Sequence, residues 1–261
     1  MEKLIIYTDL DGTFLNHHNY SFEESRESIE LIKLRKIPLV FTTSKTRVEV
    51  ELLRDKVAIQ SPFIIENGAA VFFPQEHYSQ LELPEISQYK VLQLGLEYAK
   101  ILDFYRQHKE EYGLFGFSDM TVEEVAKHTG LNLKLASYAK TREFSEPFLL
   151  QDKQLLQQLV SLAKTYEIKI TQGGRFFHLI GEKQDKGLAV EQANQVFRRE
   201  FASIKTIGLG DSQNDLSLLA AVDVPIAIKR HDDTFLDYPK AKRSSWPGAK
   251  GWNETILQEL L

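Results

Sequence analysis

No cysteine occurs in the 261-residue chain, which removes disulfides, thiolate nucleophiles and thiolate metal sites together. Hard, oxygen-liganded metals remain open. No apolar run is long enough to span a bilayer, and the chain begins with a strand pattern instead of a basic leader and apolar core. The expectation is a cytoplasmic protein without a membrane partner. Positive charge is not in surplus, since 32 Lys and Arg stand against 37 Asp and Glu for a net charge of −5. That balance argues against a nucleic-acid partner, so any phosphate must be met by a few local cations. Repeats and low-complexity tracts are absent, and 43% hydrophobic with 26% charged residues is ordinary for a packed globular chain.

What is present centres on Leu4 to Thr13. Leu4 to Tyr7 is a short apolar segment of the kind found in a strand buried on both faces, and Gly12 breaks it. Asp9 and Asp11 follow two apart, on the same side of an extended chain, at the carboxyl end where open α/β sheets bind ligands. Neighbouring carboxylates repel unless a cation or a shared proton holds them, so the pair reads as a metal site or an acid/base pair. A solvated Asp-rich turn is the plain alternative. A second cluster, Gly208-Leu209-Gly210-Asp211-Ser212-Gln213-Asn214-Asp215, lies at another strand exit. Two such clusters can converge on one divalent ion, and oxygen-only ligands favour magnesium over zinc. Thr43 closes a strand and Lys186 opens a helix, so a hydroxyl and a cation stand where a phosphoryl group would need them.

The chain pattern supplies the frame. Strand-like segments at Pro38 to Thr43 and Phe63 to Ile65 alternate with helices at Ser21 to Lys36 and Ser44 to Lys56. The first of these helices carries a Ser21/Glu24 capping-box pattern. Ala69 to Phe73 reads as a hairpin partner ended by Pro74, and from Gly187 helix and strand alternate again. Between them the rhythm changes, with helices over Leu96 to Lys109, Thr121 to His128 and Leu131 to Ala139, and strands at Ile168 to Thr171 and Phe176 to Ile180. The expected fold is α/β: a Rossmann-like parallel-sheet core with helices on both faces, formed by residues 1–80 and 184–261. Residues 81–183 are an inserted α+β cap, hinged near Phe73 to Pro84 and Gly181 to Lys186. Trp246 to Gly251 reads as a loop before a last helix from Asn253. His178, Trp246 and Trp252 read as packing residues.

Asp9-Leu10-Asp11-Gly12-Thr13, Thr43, Lys186 and Gly210-Asp211 through Asp215 resemble, in order, the four motifs of haloacid dehalogenase-like phosphatases with a large cap after the second motif. By that resemblance Asp9 is the nucleophile that becomes an aspartyl-phosphate. Asp11 is the acid for the leaving alcohol and then the base for water, and Thr43 and Lys186 hold phosphoryl oxygens. Asp9, Asp211 and the Asp11 carbonyl bind Mg2+, with Asp215 supporting or ligating it. Further segments, among them Thr43 to Thr46, Glu66 to Ala69, Arg142 to Pro147, Gly173 to His178 and Pro247 to Trp252, resemble the mannosyl-3-phosphoglycerate phosphatase family. The implied substrate is a small sugar phosphate, mannosyl-3-phosphoglycerate, and the product a compatible solute, mannosylglycerate. Implied substrate-binding residues are Gly12, Thr13, Ser44, Lys45, Asn67, Arg142, Glu143, Gly173, Gly174, Arg175 and Asn214. Arg142 or Arg175 suits a carboxylate, the Gly173-Gly174 turn offers N–H donors, and Glu143 and Glu146 suit sugar hydroxyls. The alternatives are phosphatases of glucosyl-3-phosphoglycerate or sucrose phosphate, or a phosphoryl-accepting regulatory module.

Overall fold

The computed structural model describes residues 2–173 and 175–261. In chain order the elements are β1 (Lys3–Thr8), α1 (Arg26–Leu34), β2 (Leu39–Thr42), α2 (Arg47–Val57), β3 (Phe63–Ile65), β4 (Ala70–Pro74), α3 (Gln75–Tyr78), β5 (Glu85–Ile86) and β6 (Tyr89–Gln93). A second group follows: α4 (Tyr98–Tyr112), β7 (Leu114–Gly116), α5 (Val122–Thr129), α6 (Leu133–Ala139), β8 (Ser145–Leu150), α7 (Leu156–Lys164), β9 (Ile168–Gly173) and β10 (Phe176–Gly181). The chain ends with α8 (Lys186–Glu200), β11 (Ile204–Gly210), α9 (Leu216–Ala220), β12 (Val224–Lys229), β13 (Lys242–Pro247) and α10 (Gly248–Leu260).

Two sheets result. The larger has the order β13-β12-β11-β1-β2-β3-β4-β6-β5, parallel from β13 to β3 and antiparallel beyond. The smaller is antiparallel, β7-β8-β10-β9. Side-chain alternation gives the large sheet two buried faces. Ile6, Phe41 and Phe63 pack with Ile29 and Ile32 of α1, Val50 of α2 and Trp252 of α10. Ile5, Tyr7, Val40 and Ile64 pack with Ala189, Val190 and Phe197 of α8 and Leu218 of α9. This is the expected α/β core with helices on both faces. Trp252 packs fully buried and donates from Nε1 to Thr8 Oγ1 at 3.0 Å, whereas Trp246 is half exposed with Lys250 over its ring.

Four sequence readings differ from the structure. Residues 81–93 do not leave the core sheet: β6 pairs with β4 and β5 with β6, so the chain crosses to the small sheet only after Gln93. The reason is Tyr89, whose ring meets Phe63 and Phe72 edge-on and anchors the segment to the core cluster. Pro74 and Pro84 thus bracket a detour within the core, and the first expected hinge lies inside it. Ser21 caps no helix; its hydroxyl accepts from Glu23 N while Glu24 accepts from Asn16. Capping boxes occur instead at Thr46/Glu49 and Thr121/Glu124. Residues Lys242–Pro247, of which Trp246 and Pro247 belong to the expected loop, form a strand at the sheet edge, and α10 starts earlier, at Gly248. β7 of the small sheet, Leu114–Gly116, forms where the sequence pattern marks no strand.

Candidate active site

β1 and β11 run side by side with Thr8 opposite Leu209, so Asp9 and Asp211 leave neighbouring strand ends together. Asp9 N donates to Leu209 O at 2.9 Å, which fixes the exit. Lys186, the first residue of α8, is fully buried and places Nζ 2.6 Å from Asp9 Oδ1 and 2.6 Å from Asp215 Oδ1. Asp215 is further committed: its Oδ2 accepts from the backbone N–H groups of Asp211 and Ser212, each at 3.0 Å. Thr13 Oγ1 donates to Asp211 Oδ1 at 2.9 Å. A Cβ on Gly12 would lie 2.9 Å from Asp211 Oδ2, and its φ of +81° is the left-handed conformation that glycine adopts without strain. Gly12 and Thr13, expected to bind substrate, therefore shape and orient Asp211.

Asp11 occupies the mouth of this cluster. Its Oδ2 is 2.9 Å from Lys45 Nζ, while Oδ1 is buried and has no hydrogen-bond partner among the described residues. Lys45 is also 3.5 Å from Glu49 Oε1 and lies over the Tyr20 ring. Burial works against its charge, but Asp11 and Glu49 outweigh it and hold the amine above its ordinary pKa. Thr43 is buried just beyond β2; its hydroxyl accepts from Lys45 N at 3.2 Å and its carbonyl from Asn67 N at 2.8 Å. Asn67 in turn accepts from Asn214 Nδ2 at 2.9 Å, tying the β3–β4 turn to the Asp211–Asp215 loop. Gly68 is required there, because at φ +90° a Cβ would sit 2.0 Å from the Asp185 carbonyl oxygen.

The small sheet meets this cluster from above, and its candidate residues divide. Arg142 spends Nη1 on the Ser44 carbonyl at 2.7 Å and Nε on the Ala139 carbonyl at 2.8 Å. Glu143 is paired with Arg47 at 2.9 Å. Glu146 is buried, accepting from Ser118 and Tyr98. These three tie elements together instead of offering free groups to a sugar. Gly173 stands between His178 and Asn214: a Cβ there would be 3.5 Å from His178 Nε2 and 3.9 Å from Asn214 Nδ2. Arg175 is exposed, and its charge is felt by His17 and Tyr20 near the Asp11 side. Gly174 lies outside the described residues. Glu66 was not anticipated: its buried carboxylate accepts from Glu143 N, Phe144 N and Ser145 Oγ, joining the two sheets through the turn before β4. Its segment, Glu66 to Ala69, carries part of the family resemblance, but nothing in the spacing marks the carboxylate as a tie between the sheets.

The electrostatics call for a cation. Asp9, Asp211 and Asp215 offer ligand oxygens all within 4.8 Å of one another, a group able to hold a metal ion. Burial, then the Asp215 charge, pushes the Asp9 carboxyl from 3.8 to about 7, against the pull of Lys186. Burial, Asp215 and Asp9 likewise raise Asp211 well above the carboxylate range. With Asp9 Oδ1 and both Asp215 oxygens already engaged, the oxygens left for an ion are Asp9 Oδ2 and Asp211 Oδ2. An all-oxygen donor set with excess negative charge fits a hard divalent cation. A folded-state pKa above the unfolded one contributes stability at pH below about 4 that is lost as pH rises through about 7. A hard divalent cation at a hundredfold excess over its Kd is therefore expected to raise Tm by about 5–10 °C near pH 8. The gain should shrink near pH 5.5, where protons compete, and vanish in Asp211→Asn. A thermal shift equal at both pH values, or retained in Asp211→Asn, would place the ion elsewhere.

The family model for haloacid dehalogenase-like hydrolases matches residues 6–240. The chain belongs to the haloacid dehalogenase-like hydrolases. It is 44% identical over 261 residues to a glucosyl-3-phosphoglycerate/mannosyl-3-phosphoglycerate phosphatase of Persephonella marina, covering 98% of this chain and 97% of that one. It is 33% identical over 233 residues to a mannosyl-3-phosphoglycerate phosphatase of Pyrococcus furiosus, covering 88% and 93%. A crystal structure of Thermoplasma acidophilum protein 0175 superposes with a TM-score of 0.74 over the full length of both chains at 16% identity. As a haloacid dehalogenase-like hydrolase whose named relatives are phosphatases, the chain is an enzyme of that kind. Among the described residues no helix is long and apolar enough to cross a membrane.

Proposed function

We propose that the protein is a magnesium-dependent phosphomonoesterase that hydrolyses glycosyl-3-phosphoglycerates, glucosyl and mannosyl, to the glycosylglycerate and phosphate. One observation carries the reading: the chain is 44% identical to a relative named for both esters, over an alignment that covers 98% of this chain and so spans both sheets. The site geometry is consistent with the chemistry. Asp9, the acceptor, attacks phosphorus as the bond to the alcohol oxygen breaks, and Asp11 delivers the proton that oxygen needs. Its buried, unpartnered Oδ1 is the atom suited to hold that proton, since Oδ2 is paired with Lys45. Water then attacks the aspartyl-phosphate with Asp11 as base, which frees the Asp9 carboxylate and inorganic phosphate. Asp9, Asp211 and the Asp11 carbonyl would hold magnesium, with Asp215 and Lys186 fixing the ligands behind. When bound, the ion offsets negative charge on the phosphoryl oxygens.

A phosphate-release screen over mannosyl-3-phosphoglycerate, glucosyl-3-phosphoglycerate and sucrose phosphate, with and without magnesium, tests this. Both phosphoglycerates are expected within about tenfold of each other in kcat/KM, and at least about tenfold above sucrose phosphate. Preference for sucrose phosphate, full turnover in chelator, or a long-lived aspartyl-phosphate without turnover would each overturn it.

A further inference from the structure

His178 occupies the middle of β10, the strand at the centre of the small sheet's β8-β10-β9 run. Strand alternation sends its neighbours Phe177 and Leu179 into the apolar cluster with Phe104, Phe148 and Leu159, beneath α4 and α7. His178 therefore points from the opposite face, with Pro147 on β8 and Thr171 on β9 directly beside it. That face looks onto the catalytic loops. Only the missing side chain of Gly173 separates His178 Nε2 from Asn214, which stands between Asp211 and Asp215 and is bonded to Asn67.

Two features set this histidine apart from a packing residue. It is 6% exposed, yet its Nδ1 is buried with no hydrogen-bond partner among the described residues. Buried polar atoms are nearly always paired, so an unpaired ring nitrogen on a histidine whose other nitrogen faces the catalytic loops calls for an explanation. Burial, reinforced by the charges of Arg142 and Lys186, pushes its pKa down to about 3, so the ring is neutral over the working pH range. A neutral imidazole offers one donor and one acceptor, which matches a hydroxyl; a carboxylate, an acceptor alone, is better met by an arginine.

We propose that His178 hydrogen-bonds a hydroxyl of the departing alcohol and so reads the organic half of the substrate. The identity of that alcohol rests on the function proposed above, but the contact itself does not. The cap residues that looked best placed for this task, Arg142, Glu143 and Glu146, are engaged within the protein. His178 turns Nε2 towards Gly173 and Asn214, beside the catalytic loops, while its buried Nδ1 has no hydrogen-bond partner among the described residues.

The test compares wild type with His178→Phe, His178→Ala and His178→Asn on two kinds of ester. One is the sugar phosphate that the wild type hydrolyses best, and the other is p-nitrophenyl phosphate, whose alcohol carries no hydroxyl beyond the ester oxygen. Loss of one hydrogen bond to a hydroxyl is expected to raise KM for the sugar ester about tenfold in the Phe and Ala variants, with kcat within about threefold. Activity on p-nitrophenyl phosphate should stay within about threefold of wild type, and His178→Asn should recover part of the discrimination. Equal losses on both esters would make His178 a structural residue, and no loss on either would leave its nitrogen to an ordered water; both overturn the proposal. Should the wild type refuse glycosyl-3-phosphoglycerates and prefer another sugar ester, the proposed function fails. The ratio of the two esters still decides the role of His178. Circular dichroism of each variant checks its fold, and the smaller Ala variant keeps the test open if the Phe variant misfolds.

Discussion

Replacing Asp9 with asparagine is expected to lower phosphate release by about four orders of magnitude or more, while leaving the fold and substrate binding in place. The amide has the shape of the carboxylate, and its oxygen can still accept from Lys186 Nζ, so the 2.6 Å contact has a substitute. What it lacks is the charge and nucleophilicity needed to attack phosphorus. The metal-free variant should also be no less stable than wild type near neutral pH, because one of three crowded carboxylates has been neutralised. Three readouts separate the possibilities: steady-state release, calorimetric binding of the ester, and acid-quench trapping of phosphorylated protein. Wild type should yield a trapped phosphoprotein under single turnover and the variant none. Turnover near the wild-type rate would remove Asp9 from the nucleophile's role, and loss of ester binding together with turnover would show a disturbed site instead.

The parts of the site that were legible in the sequence share a cause. Asp9, Asp211 and Lys186 lie at element ends, and strand exits in a parallel sheet converge on one edge whatever the intervening chain does. Local spacing was enough to place them. Asp215 was legible as a member of the cluster, but its support of the Asp211 and Ser212 N–H groups needed coordinates. The cap residues were harder because their partners are distant in sequence. Arg142 and Glu143 look like free charges until the Ser44 carbonyl and Arg47 appear opposite them. A residue type that suits a substrate suits an interdomain tie equally well, and nothing in the spacing tells the two apart.

The fold shows the same division. β1, β2, β3 and β11 were readable as apolar runs because burial on both faces demands them. β13 was not, since Lys-Arg-Ser-Ser-Trp-Pro sits at the sheet edge and only Ser244 within it is buried. β6 shows in the sequence as an apolar segment near Tyr89 to Leu94, with nothing local to assign it to the core sheet. Its membership depends on Tyr89 meeting Phe63 and Phe72, an aromatic contact between elements separated by a turn and a short helix.

Lys186→Met is expected to damage both catalysis and folding, and by more than any substitution at the cap. The ammonium is fully buried and is the group paired with both Asp9 and Asp215. Burial alone would depress its pKa, yet Asp215 and Asp9 outweigh that and hold it above the ordinary amine value, so it is charged throughout the working range. Methionine preserves the length of the stem and removes the charge. Two buried carboxylates then face each other with their common partner gone, and breaking a buried pair in this way costs about 3–5 kcal/mol. Catalysis loses the cation that orients Asp9 and offsets phosphoryl charge, a loss of about a thousandfold in kcat. The two effects respond differently to conditions. Lower pH lets protons replace the missing charge, so urea denaturation of Lys186→Met should approach wild type as pH falls towards 5, while kcat should not recover at any pH. Magnesium should restore part of the stability through Asp9 and Asp211, again without restoring turnover. Parallel recovery of stability and kcat would mean that Lys186 serves only to hold the fold. An unchanged denaturation midpoint at neutral pH would mean that the Asp9–Lys186–Asp215 cluster is not the buried ion network described here.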